Sequence, residues 1–184
     1  MLQEGQRAQP RRDAVRHDDR RSDVVRDLGP VRRGGREFID TSNNYLYFVN
    51  GTQGGESEAL LGRWRASRGI GDEIVIATKV GARPIAPAAD FDTPREGLSR
   101  AAIREASERS RERLGVERID LYYAHVPDQT GVPLDEQVAA FGELAAGGIV
   151  GLLGLSNHWA WQVASTGHME LLRRCRRAGA GMRG

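Results

Sequence analysis

Residues 74–80 read I-V-I-A-T-K-V, a near-continuous apolar run rich in β-branched residues, with a lysine one place before its end. A strand of this composition is apolar on both faces and belongs inside a parallel sheet covered by helices. Upstream, residues 56–68 (E-S-E-A-L-L-G-R-W-R-A-S-R) open with acids and set Ala59, Leu60 and Trp64 at helical spacing, which predicts an amphipathic helix with favourable charge at its start. Before that helix lies a loop marked by Asn43, Asn44, Asn50, Gly51, Gly54 and Gly55, and before the loop a short strand at 37–42 (E-F-I-D-T-S).

The same alternation continues downstream. Residues 81–97 form a Gly/Pro/Ala-rich loop whose T-P-R-E at 93–96 has the form of a capping box, with Pro94 at the first helical position. The helix it would open runs to Leu114, placing Ile103, Ala106, Ser110 and Leu114 on one face, and Gly115 is positioned to stop it. A strand at 118–125, a helix at 134–146 and a strand at 149–155 follow, and a further helix is expected to start near Ala160. Strands alternating with helices give a parallel sheet of about four βα units.

Composition narrows the classes. Of 184 residues, 27 are basic and 25 acidic; 26 of the basic residues are arginine, and Lys79 is the only lysine. Residues 1–37 hold ten basic and seven acidic groups, 38–167 hold twelve and seventeen, and 168–184 hold five and one. The basic character therefore belongs to the ends, which argues against a nucleic-acid-binding body. No stretch approaches the roughly 20 consecutive apolar residues of a membrane helix. Charges occupy the place where a signal peptide would have its apolar region, so a cytoplasmic location is expected. One cysteine, Cys175, leaves no internal disulfide, and His17, His125, His158 and His168 lack metal-ligand spacing, so no metal is expected.

In a βα barrel the C-terminal ends of the strands form the active face. Asp40, Lys79, His125 and Ser156-Asn157 each fall at such an end, and Tyr45 follows the first strand. A phenol has a pKa near about 10, and a neighbouring ammonium favours its ionised form. Lys79 can supply that charge, Asp40 can hold Lys79, and His125 can donate a hydrogen bond to a carbonyl oxygen. With no evident nucleophile, the set suits hydride transfer from a bound cofactor better than hydrolysis.

F-I-D-T-S-N-N-Y, G-E-S-E-A-L-L-G, I-V-I-A-T-K-V, R-L-G-V-E-R-I-D-L-Y-Y-A-H and G-L-S-N, in this order over about 130 residues, resemble the successive motifs of the aldo-keto reductase superfamily. The resemblance implies a (β/α)8 barrel and NADP(H)-dependent interconversion of small-molecule carbonyls and alcohols. It makes Asp40, Tyr45, Lys79 and His125 the catalytic tetrad, with Tyr45 as general acid or base. It also makes Ser156 and Asn157 the pair that binds the nicotinamide carboxamide. The loop at 46–55 and G-A-R-P at 81–84 would shape the substrate pocket. Tyr47 is a possible confusion with Tyr45, but only Tyr45 keeps the family's spacing to Asp40. Trp159 and Trp161 read as packing groups.

A full barrel needs about 250 residues. The visible resemblance covers 36–167 as a partial barrel, preceded by an Arg-rich segment at 1–35, expected to be disordered or unrelated, and followed by a basic tail at 168–184. A truncated gene product with out-of-frame ends is the expectation. Arg111 stands where the family has leucine on a packing face, and Ile149 and Gly151 replace the usual lysine and arginine. The competing expectations are a fragment unable to hold the cofactor and a nucleic-acid-binding role for the arginine-rich ends. The latter is disfavoured because those ends lack interleaved aromatics. The sequence carries no determinant of oligomeric state.

Overall fold

The computed structural model describes residues 37–47, 49, 52–86 and 93–167. The Arg-rich segment at 1–35 and the tail at 168–184, with His17, His168 and Cys175, lie outside them. Among the described residues, four strands, β1 (Glu37–Asp40), β2 (Ile74–Val80), β3 (Ile119–Ala124) and β4 (Val150–Leu155), alternate with three helices, α1 (Glu56–Arg68), α2 (Arg100–Leu114) and α3 (Leu134–Ala146). The strands pair in chain order, β1-β2-β3-β4, and every pairing is parallel. A helical segment also occupies 160–167, starting where the sequence placed it.

β2 is buried along nearly its whole length, as its composition requires. The edge strands behave differently: Phe38 on β1 and Leu152 and Leu153 on β4 are exposed. Their apolar patterns are those of two-sided strands, but among the described residues each has a neighbour on one side only. The core lies between β2, β3 and β4 and the inner faces of α2 and α3, where Val80, Leu98, Ile103, Ile119, Tyr122, Phe141, Leu144 and Val150 cluster. Each large side chain fully buried there contributes about 1.5–3 kcal/mol. The Tyr122 and Phe141 rings meet at a centroid distance of 5.8 Å.

The helix ends follow local chemistry, with one correction. α1 begins with Glu56 and Glu58 and ends at Gly69, whose left-handed conformation lets its N–H reach back to the last turn. Along α1, Leu61 and Trp64 are buried while Ala59 and Leu60 are half-buried, so the inner face is rotated by about one position from the expected one. α2 does not start at T-P-R-E. Its N-cap is Ser99, whose hydroxyl accepts from the Ala102 N–H at 3.2 Å. Glu96, the would-be partner of the capping box, instead accepts from Asn43 Nδ2 at 2.7 Å and from the Gly81 N–H at 2.8 Å. The long-range bonds of Glu96 took precedence over a local cap that Ser99 could supply as well.

A partly buried ion pair, with Arg113 the more exposed partner, ties the layers together. Glu58, fully buried on α1, accepts from Arg113 Nε of α2 at 2.7 Å and from the Thr78 hydroxyl of β2 at 2.5 Å. α1 and α2 approach so closely that a Cβ on Gly62 would run into the Arg113 carbonyl. Arg111 is half-buried, and its Nε lacks a hydrogen-bond partner among the described residues.

Candidate active site

The strand register sets the site. Asp40 pairs with Ala77, Lys79 with Tyr123, and Ala124 with Leu155, so the C-terminal ends of all four strands finish on one side of the sheet. The ladder runs on past the strands through Thr41 N–H to Ala77 O at 2.9 Å, His125 N–H to Val80 O at 2.8 Å and Ser156 N–H to Ala124 O at 2.9 Å. These bonds fix the backbone immediately beneath the polar residues.

Lys79 is 5% exposed and its ammonium uses all three protons. It donates to Asp40 Oδ2 at 2.5 Å, to the Thr41 carbonyl at 2.8 Å and to Tyr45 Oη at 2.7 Å. Tyr45 Oη in turn donates to Asp40 Oδ2 at 3.3 Å. Asp40 and Tyr45 both keep access to solvent, whereas Lys79 anchors them from below. A buried ammonium this close to a phenolic oxygen stabilises negative charge as it develops there.

His125 completes the group. Its ring meets Tyr45 edge-on, with centroids 5.8 Å apart. Burial, the Lys79 ammonium and Arg95 together lower its pKa to about 4 against the smaller opposing effect of Asp40, so the imidazole is neutral near pH 7. Its Nδ1 lies 3.1 Å from the hydroxyl of Ser42, a fully buried residue that the sequence reading did not single out. Ser42 lies two positions past Asp40, but its contact with His125 spans 83 residues, which no local pattern signals.

Ser156 and Asn157 follow β4 beside His125. Asn157 takes a left-handed backbone, φ 56°, which asparagine tolerates better than most residues. Its Nδ2 donates to the His125 carbonyl at 2.9 Å and to Ser156 Oγ at 3.1 Å. This pair presents hydroxyl and amide groups at the same end of the sheet as Tyr45, a donor and acceptor set that fits a carboxamide. Trp159 and Trp161, expected as packing groups, are 71% and 65% exposed. Tyr47 is distinguished from Tyr45 by burial, and its hydroxyl donates to the Ala86 carbonyl at 2.5 Å, joining the loop after β1 to the segment after β2. Among the described residues no group of three His, Cys, Asp or Glu side chains converges as a metal site, and no helix is long and apolar enough to cross a membrane.

Residues 19–173 match the aldo/keto reductase family profile. Norsolorinic acid reductase B of Aspergillus parasiticus is 37% identical over 128 residues, covering 69% of this chain and 33% of the relative. An uncharacterised oxidoreductase of Bacillus subtilis is 36% identical over 130 residues, 70% of this chain and 38% of the relative. The chain thus spans about a third of the length of the curated relatives it matches. Among solved structures, a glycerol dehydrogenase from Gluconobacter oxydans superposes with a TM-score of 0.62 at 28% identity, over 82% of this chain and 41% of that one. An aldo-keto reductase from Klebsiella pneumoniae in complex with NADPH superposes with a TM-score of 0.58 at 26% identity, over 79% and 43%. The four βα units are part of a (β/α)8 barrel, as the alternation of elements led one to expect.

Proposed function

The chain belongs to the aldo/keto reductase family, and from that premise we propose that it is an oxidoreductase that transfers hydride between NADP(H) and a small carbonyl or alcohol, with Tyr45 as general acid and base. The observation that carries the proposal is the convergence on Lys79 Nζ of Asp40 Oδ2, the Thr41 carbonyl and Tyr45 Oη within 2.8 Å. NADP(H), when bound, supplies or takes up the hydride. Ser156 and Asn157 fit the carboxamide end of its nicotinamide by donor and acceptor type and by position at the end of β4.

The residues of the chain then divide the remaining work. Tyr45 gives its proton to the carbonyl oxygen as negative charge builds on it, and takes that proton back in the direction of alcohol oxidation. Lys79, donating to Tyr45 Oη, stabilises the negative charge left on that oxygen, and Asp40 holds the ammonium in place. His125, neutral and set edge-on to Tyr45, limits where the substrate oxygen can sit. No side chain has to act as a nucleophile. A cytoplasmic setting is part of the same proposal.

Titrating NADPH with the purified protein while following nicotinamide fluorescence tests the cofactor half of the proposal. A saturating change is expected, and a strictly linear response would overturn it.

A further inference from the structure

Glu96, which the redox chemistry above does not use, gathers donors from the two segments that carry Asp40, Tyr45 and Lys79. Its Oε1 accepts from Asn43 Nδ2 at 2.7 Å, from the Gly81 N–H at 2.8 Å and from the Arg83 N–H at 3.4 Å, and its Oε2 from Arg83 Nε at 3.3 Å. The Glu96 side chain is 7% exposed, and Asn43 is buried. An ionised carboxylate only accepts, so the contact at 2.7 Å also fixes which end of the Asn43 amide faces it.

Each donor sits beside the proposed chemistry. Asn43 lies between Asp40 and Tyr45 in the chain, and its backbone N–H donates to the Lys79 carbonyl at 3.3 Å. Gly81 is two residues past Lys79. The Glu96 backbone is tied to the same segment: its N–H donates to the Arg83 carbonyl at 2.9 Å, next to an antiparallel bridge between Pro84 and Arg95. The carboxylate is thus a fixed point that fastens the loop after β1 against the end of β2. Tyr45 is partly exposed, so its hydroxyl depends on the placement of that loop to meet Lys79 Nζ at 2.7 Å.

We propose that Glu96 is a positioning residue that, through Asn43 and Gly81, docks the loop bearing Tyr45 onto the end of β2 and so sets Tyr45 Oη against Lys79 Nζ. The kinetic half of the inference rests on the proposed redox function; the placement half does not. Glu96 acts through hydrogen bonds accepted on Oε1, so a glutamine, which keeps a carbonyl oxygen there, can replace it and an alanine cannot. A misplacement of about 1 Å at the reacting atoms costs on the order of a hundredfold. The loss falls on kcat more than on KM, because Tyr45 and Lys79 meet charge that develops only in the transition state.

Placement can be read without turnover. The full chain is labelled with 13C at tyrosine Cζ, and Tyr45→Phe identifies the Tyr45 signal. That signal is expected to shift in Glu96→Ala and to return to its parent position in Glu96→Gln. With NADPH and benzaldehyde, Glu96→Ala is expected to lower kcat by about tenfold or more with KM within about threefold, and Glu96→Gln to restore kcat to within about threefold. If Glu96→Ala lacks the parent's far-UV circular dichroism, Asn43→Ala, which cuts only the tie to the loop after β1, takes its place with the same expected changes. An unmoved Tyr45 signal or an unchanged kcat in the alanine variant, or a glutamine variant as displaced as the alanine one, would overturn the proposal. Expected spectra without NADPH-dependent turnover in the parent protein would count against the redox function alone.

Discussion

The Lys79 ammonium donates to the Tyr45 hydroxyl at 2.7 Å while it is held from behind by Asp40 and the Thr41 carbonyl. The arrangement needs a compact cation with three divergent protons, itself buried beneath the solvent-accessible Asp40 and Tyr45. A guanidinium is planar and wider, and it cannot reproduce those three directions. This gives a physical reason for a lysine here in a chain whose other 26 basic residues are arginine. Lys79→Arg is expected to lower carbonyl reduction by roughly a hundredfold or more, with far-UV circular dichroism unchanged. Turnover within about twofold of the parent would remove Lys79 from the mechanism.

In the proposed mechanism Tyr45 carries the proton, and removing its hydroxyl leaves the ring in place. Tyr45→Phe is expected to reduce turnover by about 10²–10⁴-fold while NADPH affinity stays close to that of the parent. Steady-state kinetics and fluorescence titration on the same preparation check the two halves separately.

His125 links the site to acid stability. Its folded pKa, about 4, lies below the ordinary value of 6.5, so between these pH values the unfolded chain binds more protons than the folded one. The stability linked to neutral His125 is present in full above about pH 6.5 and is lost as pH falls through about 4. Because solvent reaches part of the ring, the loss is on the order of 1–2 kcal/mol rather than the full shift. Denaturant unfolding at a series of pH values should show this slope in the parent and a flatter one in His125→Gln.

Much of the frame was legible in the sequence, and what was missed has a common cause. The strand at 74–80 and the helices at 56–68 and 134–146 were readable because composition and periodicity act over neighbouring residues. The capping box at 93–96 was a local pattern of the right form, but Glu96 is engaged by Asn43, 53 residues away, and Ser99 caps the helix instead. Asp40, Tyr45, Lys79 and His125 could be picked out because strand ends converge in a parallel barrel. Ser42 and Glu58 could not, since their partners lie on other elements and their residue types are ordinary at those positions.

Glu58 gives a test of the frame that is independent of chemistry. Arg113→Met would leave the carboxylate of Glu58, fully buried, without its cation, and a loss of about 3–5 kcal/mol is expected. Adding Glu58→Leu to that variant should recover much of the loss, because a buried apolar pair costs less than a buried lone charge. Equal stability of the single and double variants in denaturant unfolding would show that the pair does not hold α1 to α2.

The proposed hydride transfer is tested most directly by isotope. The protein is incubated with NADPH carrying deuterium at nicotinamide C4 and a panel of small aldehydes and ketones, and the product alcohols are analysed by mass spectrometry, with Tyr45→Phe alongside. Deuterium on the former carbonyl carbon, formed by the parent protein and almost lost with Tyr45→Phe, is the expected result. No deuterium in any product, or equal labelling by the two proteins, would contradict the assignment of Tyr45 as the proton donor of a nicotinamide-dependent carbonyl reduction.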